Sequence, residues 1–230
     1  MSKKVLVVLC LFFGSLIAQA ATPAETAQVL RQLNDAAKNF HTAKATFSWV
    51  ETRTLPIPDE VTQNGSIAFK REGGSIEMAA HILGSDGKVA KELVYTKGAL
   101  NVYEPNIKQL SVYTAGNNRS MYESFLTLGF GGSGDDLEKG WLVTDVKHEK
   151  IDGVEVARLN LVSKNEGVRK TFKNVILWID VQRGVSLKQQ FFQTDGSVRT
   201  ANYSKIELNT KLRSDAFNVN TATGTKTVSK

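Results

Sequence analysis

Asn64-Gly65-Ser66-Ile67-Ala68-Phe69-Lys70-Arg71 is the stretch on which the reading of this chain turns. Its period is two. Ile67, Phe69 and Arg71 share one face, and Ser66, Ala68 and Lys70 share the other, as in a strand with one buried side. Asn64-Gly65 has the form of a tight hairpin turn, so the stretch reads as a strand leaving that turn.

The same pattern recurs along the chain. Phe47, Trp49 and Glu51 alternate with Ser48, Val50 and Thr52. Leu100 and Val102 precede Tyr103-Glu104-Pro105, and Leu110 and Val112 alternate with Ser111 and Tyr113. Val185, Leu187, Gln189 and Phe191 share a face. Asp86-Gly87, Asp152-Gly153 and Asp195-Gly196 read as hairpin turns, with Lys97-Gly98 and Arg183-Gly184 as weaker ones. This spacing predicts an antiparallel meander of roughly ten strands. No β-α-β alternation interrupts it, which argues against a doubly wound fold.

Two segments change period. Thr22-Pro23-Ala24-Glu25 has the form of a capping box, followed by Ala27, Leu30, Leu33, Ala37 and Phe40 at helical spacing. That predicts a helix over 23–40. Ser120 to Phe130 carries Met121, Tyr122, Phe125, Leu126, Leu128 and Phe130, a short apolar helix that Gly129 to Gly134 breaks. It reads either as a plug in the core or as a lid on Gly-rich hinges. Two short helices are few for so large a sheet. The economical solution is a mainly β (α+β) fold: a strongly curved antiparallel sheet forming a half-open, incomplete barrel, with the helices lidding an apolar cavity. A β-sandwich is the competing architecture.

The chain has 230 residues, a net charge of +6 and a single cysteine, Cys10. Lys3 and Lys4 precede an apolar run of 13 residues, Val5 to Ile17, and Ala18-Gln19-Ala20 has the small-x-small form of a cleavage site. Residues 1–20 therefore read as a cleaved secretory signal. Cys10 lies about ten residues before that site, whereas a lipidated cysteine stands at the cleavage site itself. The mature protein is expected to be exported, free of cysteine and not lipid-anchored. Residues 21–219 read as one domain, and 220–230 as a polar tail without structure. The basic residues are scattered, so no nucleic-acid partner is implied.

Catalytic patterns are missing. His41, His81 and His148 have no partners at metal-ligand spacing. Gly129-Phe130-Gly131-Gly132-Ser133-Gly134 matches a dinucleotide fingerprint in form. It follows an apolar helix rather than a strand, and Asp135-Asp136 after it would repel a pyrophosphate. Those two acids read instead as caps of the next short helix. The expectation is a binder rather than an enzyme, with no metal and no cofactor.

Several segments together resemble the outer-membrane lipoprotein carrier family (LolA and its LolA-like sorting relatives). They are Asn39-Phe40-His41-Thr42-Ala43, the Asn64–Arg71 strand, Leu93 to Pro105 with Gln109 after it, Val175-Ile176-Leu177-Trp178-Ile179-Asp180, and Leu208-Asn209 with Phe217. The resemblance implies a periplasmic, monomeric carrier with transient membrane contact only. It would take acylated lipoproteins from an inner-membrane releasing complex to an outer-membrane acceptor. It implies a cavity and lid built from Phe47, Trp49, Ile67, Phe69, Arg71, Leu100, Val102, Leu110, Val112, Met121, Phe125, Leu128 and Leu177. Arg71 stands where the family has an arginine that bonds lid backbone in the closed state. Glu72 replaces the family's usual proline, which leaves room for another lipid or hydrophobic cargo, or for an envelope-sensor binding module of the same fold.

Overall fold

The structure is a computed structural model that describes residues 23–53, 57–72, 75–116 and 119–229. The segment expected to be a signal (residues 1–20), with Cys10, and Thr22 lie outside the described residues. The chain opens with α1 (Pro23–Lys38), with Pro23 in its first turn, and buries Val29, Leu30 and Leu33. Six strands follow: β1 (Thr42–Arg53), β2 (Asp59–Glu72), β3 (Ser75–Leu83), β4 (Val89–Thr96), β5 (Ala99–Glu104) and β6 (Gln109–Thr114). Then come α2 (Arg119–Leu126), α3 (Gly134–Gly140), β7 (Trp141–Ile151), β8 (Val154–Ser163) and α4 (Glu166–Thr171). The chain ends with β9 (Phe172–Asp180), β10 (Val185–Gln193), β11 (Val198–Leu208) and β12 (Lys226–Ser229).

Among the described residues, twelve strands form one sheet, in the order β12-β6-β5-β4-β3-β2-β1-β11-β10-β9-β8-β7. The two end strands do not pair, so the curved sheet stays open. Consecutive strands form two meanders, and β1 joins them through β11, with Phe47 opposite Tyr203. Asn209 fastens this seam. Its side-chain oxygen accepts from the His41 amide at 2.9 Å, and its Nδ2 donates to the Asn39 carbonyl at 2.8 Å.

Most turn signals fall between strands. Asp152-Gly153, for example, takes positive φ at both residues (49° and 82°), which matches the twist of a tight hairpin. Asn64-Gly65 does not behave this way. It lies inside β2, with Asn64 paired to Ser48 and Gly65 to both Phe47 and Ile82. A Cβ on Gly65 would sit 2.1 Å from the His81 carbonyl oxygen and 2.4 Å from the Phe47 ring. The glycine is there for close approach of strand to ring, not for a turn.

The tail also departs from expectation. Residues 226–229 pair in parallel with β6, Lys226 opposite Gln109. The Ala222 amide donates to the Tyr103 hydroxyl at 3.0 Å. Thr and Val in a short alternating stretch suffice for an edge strand, and its polar composition suits an exposed edge.

Two apolar clusters fill the concave side. One joins Val29, Leu30 and Leu33 of α1 to Leu137, Trp141, Leu159, Leu161, Val175, Leu177 and Ile179. The other joins Phe40, Phe47, Ile67, Phe69, Met78, Tyr95, Phe130 and Val185. Each buried large side chain contributes about 1.5–3 kcal/mol relative to exposure. Phe40, expected to end the α1 stripe, lies beyond the helix and belongs to the second cluster. A small third cluster (Val156, Ile176 and Trp178) lies on the convex side.

Candidate functional site

Side chains opposite one another across paired strands share a face. Following Phe47 through Gly65, Ile67 to Ala80, Ala80 to Leu93 and Leu93 to Val102 traces one face across β1 to β5. It is the concave face. Phe47, Ile67 and Phe69 are buried there, with Trp49 and Leu100 packed against them. Leu177 and Leu128 are buried in the first cluster, with Phe125 against it.

Leu110 and Val112 are not part of this face. Leu110 pairs with Tyr103 and Val112 with Asn101, whereas concave Val102 pairs with Ser111. The β5–β6 register pairs even-numbered residues with odd ones, so the two apolar rows lie on opposite sides of the sheet. Leu187 is displaced in a similar way. The β9–β10 register shifts between Ser186 and Lys188, and Leu187 joins the convex cluster beside Trp178. Met121 is in α2, but its side chain lies outside the described residues.

α2, the loop after it and α3 cover the concave face, and they are clasped from three sides. From β2, Arg71 Nη1 donates to the Gly131 carbonyl at 2.5 Å, and Nη2 donates to Asp136 Oδ2 at 2.7 Å. From β4, the Tyr95 hydroxyl donates to Glu123 at 3.0 Å, while Arg119 holds the same carboxylate at 2.7 Å. Burial first, then this carboxylate, pushes the Tyr95 phenol up to about 12. From β10, Gln189 Nε2 donates to the Leu128 carbonyl at 2.7 Å, and the Ser186 amide donates to the Gly129 carbonyl at 2.7 Å.

Gly129 and Gly131 take positive φ (80° and 68°) and allow close approach to their neighbours. A Cβ on Gly129 would lie 2.2 Å from Ser186 Oγ, and one on Gly131 would lie 2.3 Å from the Phe40 ring. Between them Phe130 plugs the barrel. It stacks on Phe69 at 4.6 Å and meets Tyr203 edge-on at 4.8 Å. Phe125 fills the other half, packed among Trp141, Phe172 and Phe191. The space beneath the lid is therefore occupied by the protein's own rings. The pocket left between Leu33, Leu128 and Leu177 is about 20 Å³, room for about one water.

Sequence reasoning missed Gln189, Glu123, Asp136 and Trp141. Gln189 was detectable as the lone amide in an apolar row. Asp136 is not the cap of α3: Ser133 is, accepting from the Asp136 amide at 3.0 Å. This leaves the Asp136 carboxylate free to meet Arg71 and Lys139. Partial burial opposes its ionisation, but hydrogen bonds from Arg71, Ser133 and Lys139 outweigh that and hold its pKa at about 2.

A carboxylate held below its ordinary range stabilises the fold above its unfolded pKa and loses that contribution as pH falls through the folded one. Asp136→Asn should therefore cost about 1 kcal/mol in urea unfolding at neutral pH, a figure reduced for partial exposure. The gap between wild type and variant should close between about pH 4 and 2. An unchanged gap at low pH would contradict this account.

A curved open sheet with helices across its concave side is now established. The fold is an open half-barrel. No family model matches the chain, and no curated protein matches it. Solved structures do. An uncharacterized conserved protein from Thermus thermophilus is similar at a TM-score of 0.54 and 11% identity, over 90% of this chain and 99% of that one. MucB is similar at 0.51 and 14% identity, over 86% of this chain and 63% of MucB, so this chain spans less than two thirds of MucB's length. A LolA superfamily protein from Nitrosomonas europaea is similar at 0.43 and 12% identity, over 84% and 97%. At such identities the likeness to the first two is one of fold. Among the described residues, no helix is long and apolar enough to cross a membrane.

Proposed function

We propose that this protein is a periplasmic carrier that holds the acyl chains of lipoproteins, or of a related lipid, between its curved sheet and its lid. It would receive them from an inner-membrane releasing complex and hand them to an outer-membrane acceptor. The observation that carries this reading is the Arg71 clasp, in which one guanidinium ties the sheet to both Gly131 and Asp136 of the lid. A buried methylene gains about 0.8 kcal/mol, so a long acyl chain brings on the order of 10 kcal/mol. That is enough to displace Phe130 and Phe125 from a face already shaped for apolar groups. Release then needs a lid that recloses, and polar bonds at its rim provide the closed state.

Arg71→Leu should keep the fold and bind acylated cargo, but transfer it to acceptor membranes at least tenfold more slowly, since hydrogen bonds to charged groups contribute about 1.5–3 kcal/mol. Transfer at the wild-type rate would overturn the reading. Mass spectrometry of ligands carried through purification supplies an independent check, with acylated peptides expected. A second reading is favoured by the filled interior: a non-catalytic envelope-sensor module that binds protein on its surface and carries no lipid. Repeated preparations free of any lipid would favour it.

A further inference from the structure

Beside the lid lies a cleft of about 470 Å³, lined by Arg71, Lys139 and Lys164 together with Phe125, Trp141 and Val168. Three cations stand here against two carboxylates, Glu123 and Asp136. Asp136 is shared by Arg71 and Lys139, and Glu123 is held by Arg119 and Tyr95. Among the described contacts, Lys164 meets no carboxylate. Its Nζ donates to the Glu138 carbonyl at 2.5 Å.

The floor is aromatic. Phe125 lies 6.2 Å from Trp141, 5.6 Å from Phe172 and 5.7 Å from Phe191, so the cleft leads directly to the rings beneath α2. Trp141 is 3% exposed. Its Nε1 is buried without an acceptor among the described residues. Such a donor is costly to leave unmade, and an incoming oxygen would satisfy it.

We infer that this cleft receives the anionic headgroup of a long-chain amphiphile, a carboxylate or a phosphate, whose chain replaces Phe125 among the rings. Lys139 and Lys164 would pair with the headgroup, and Trp141 would line the passage to the chain site. Arg71, already bonded to the lid, would feel a competing anion beside Asp136, so headgroup binding and lid release would be coupled at one residue. This rests on the carrier reading and adds to it the charge of the preferred cargo.

The test uses the exported chain with oleate, lysophosphatidylglycerol and the uncharged monoolein as probes. Binding is followed by competition with a brominated stearate that quenches tryptophan emission. Oleate and lysophosphatidylglycerol should each bind about tenfold more tightly than monoolein, a preference that falls with added salt. The relative strength of the two separates carboxylate from phosphate as the favoured group. Lys139→Gln/Lys164→Gln, two exposed positions, should remove that preference, weakening oleate and lysophosphatidylglycerol far more than monoolein. Trp141→Phe should reduce the quenching, because Trp141 lines this cleft whereas Trp178 lies on the convex side. Equal binding of monoolein and oleate, or no effect of the double variant, would overturn the headgroup inference while leaving the carrier reading standing. Failure of every amphiphile to bind would overturn both.

Discussion

Phe130→Ala should lower unfolding free energy by about 3–5 kcal/mol, the usual cost of removing a buried phenylalanine ring. The ring is 3% exposed, stacks on Phe69 and is edge-on to Tyr203. Its backbone is bridged to Val185, and its neighbours bond to Gly184 and Ser186. The loop is thus held by β10 even without the ring, and the space cannot readily collapse. In a carrier, this space is where cargo goes. The variant should therefore regain part of its lost stability in the presence of a long-chain alcohol, read as a rise in unfolding midpoint that grows with ligand concentration. A small loss of stability, or no rescue by the alcohol, would show that the plug does not stand in for cargo.

Gly65→Ala should destabilise by about 3 kcal/mol, at the upper end of overpacking effects. A strand glycine replaced by alanine normally gains, because alanine loses less conformational freedom. Here the sign reverses, since the added carbon meets the backbone carbonyl of His81 at 2.1 Å and the Phe47 ring at 2.4 Å. The ring could turn aside; the carbonyl belongs to the sheet and cannot do so alone. Phe47→Leu in the Gly65→Ala background should recover only part of the loss. Stability equal to or above wild type in denaturant unfolding would show that β2 and β3 separate more freely than their pairing indicates.

Gly65 also shows where sequence reading is limited. Asn-Gly flanked by alternating residues is a strong local signal for a hairpin. The strand instead runs through it, because the Phe47 ring on the neighbouring strand requires a residue without a side chain. That requirement comes from a partner and is invisible locally. The pairing of Leu110 and Val112 failed for a related reason: alternation defines two faces but not which one is buried, and register decides. Several features were legible locally, among them α1 and the turns at Asp86-Gly87, Asp152-Gly153 and Asp195-Gly196, and the curved open sheet followed from the small number of helices. Arg71 was legible because a charged residue ended an apolar row. Its partners were not, since Gly131 and Asp136 are 60 and 65 residues away.

The seam between β1 and β11 has a consequence for how the molecule is made. Hairpins on either side form between neighbours in sequence and close short loops. The seam instead brings together residues such as Thr46 and Ser204, 158 positions apart. Loop-closure entropy and high contact order make such a pairing late and slow. Until it forms, each half-sheet presents a bare edge and half of a concave apolar face. The nascent molecule is then most exposed to aggregation at the join that later unites its core. The two halves of the barrel can therefore be thought of as prefabricated, with Asn209 closing the last gap.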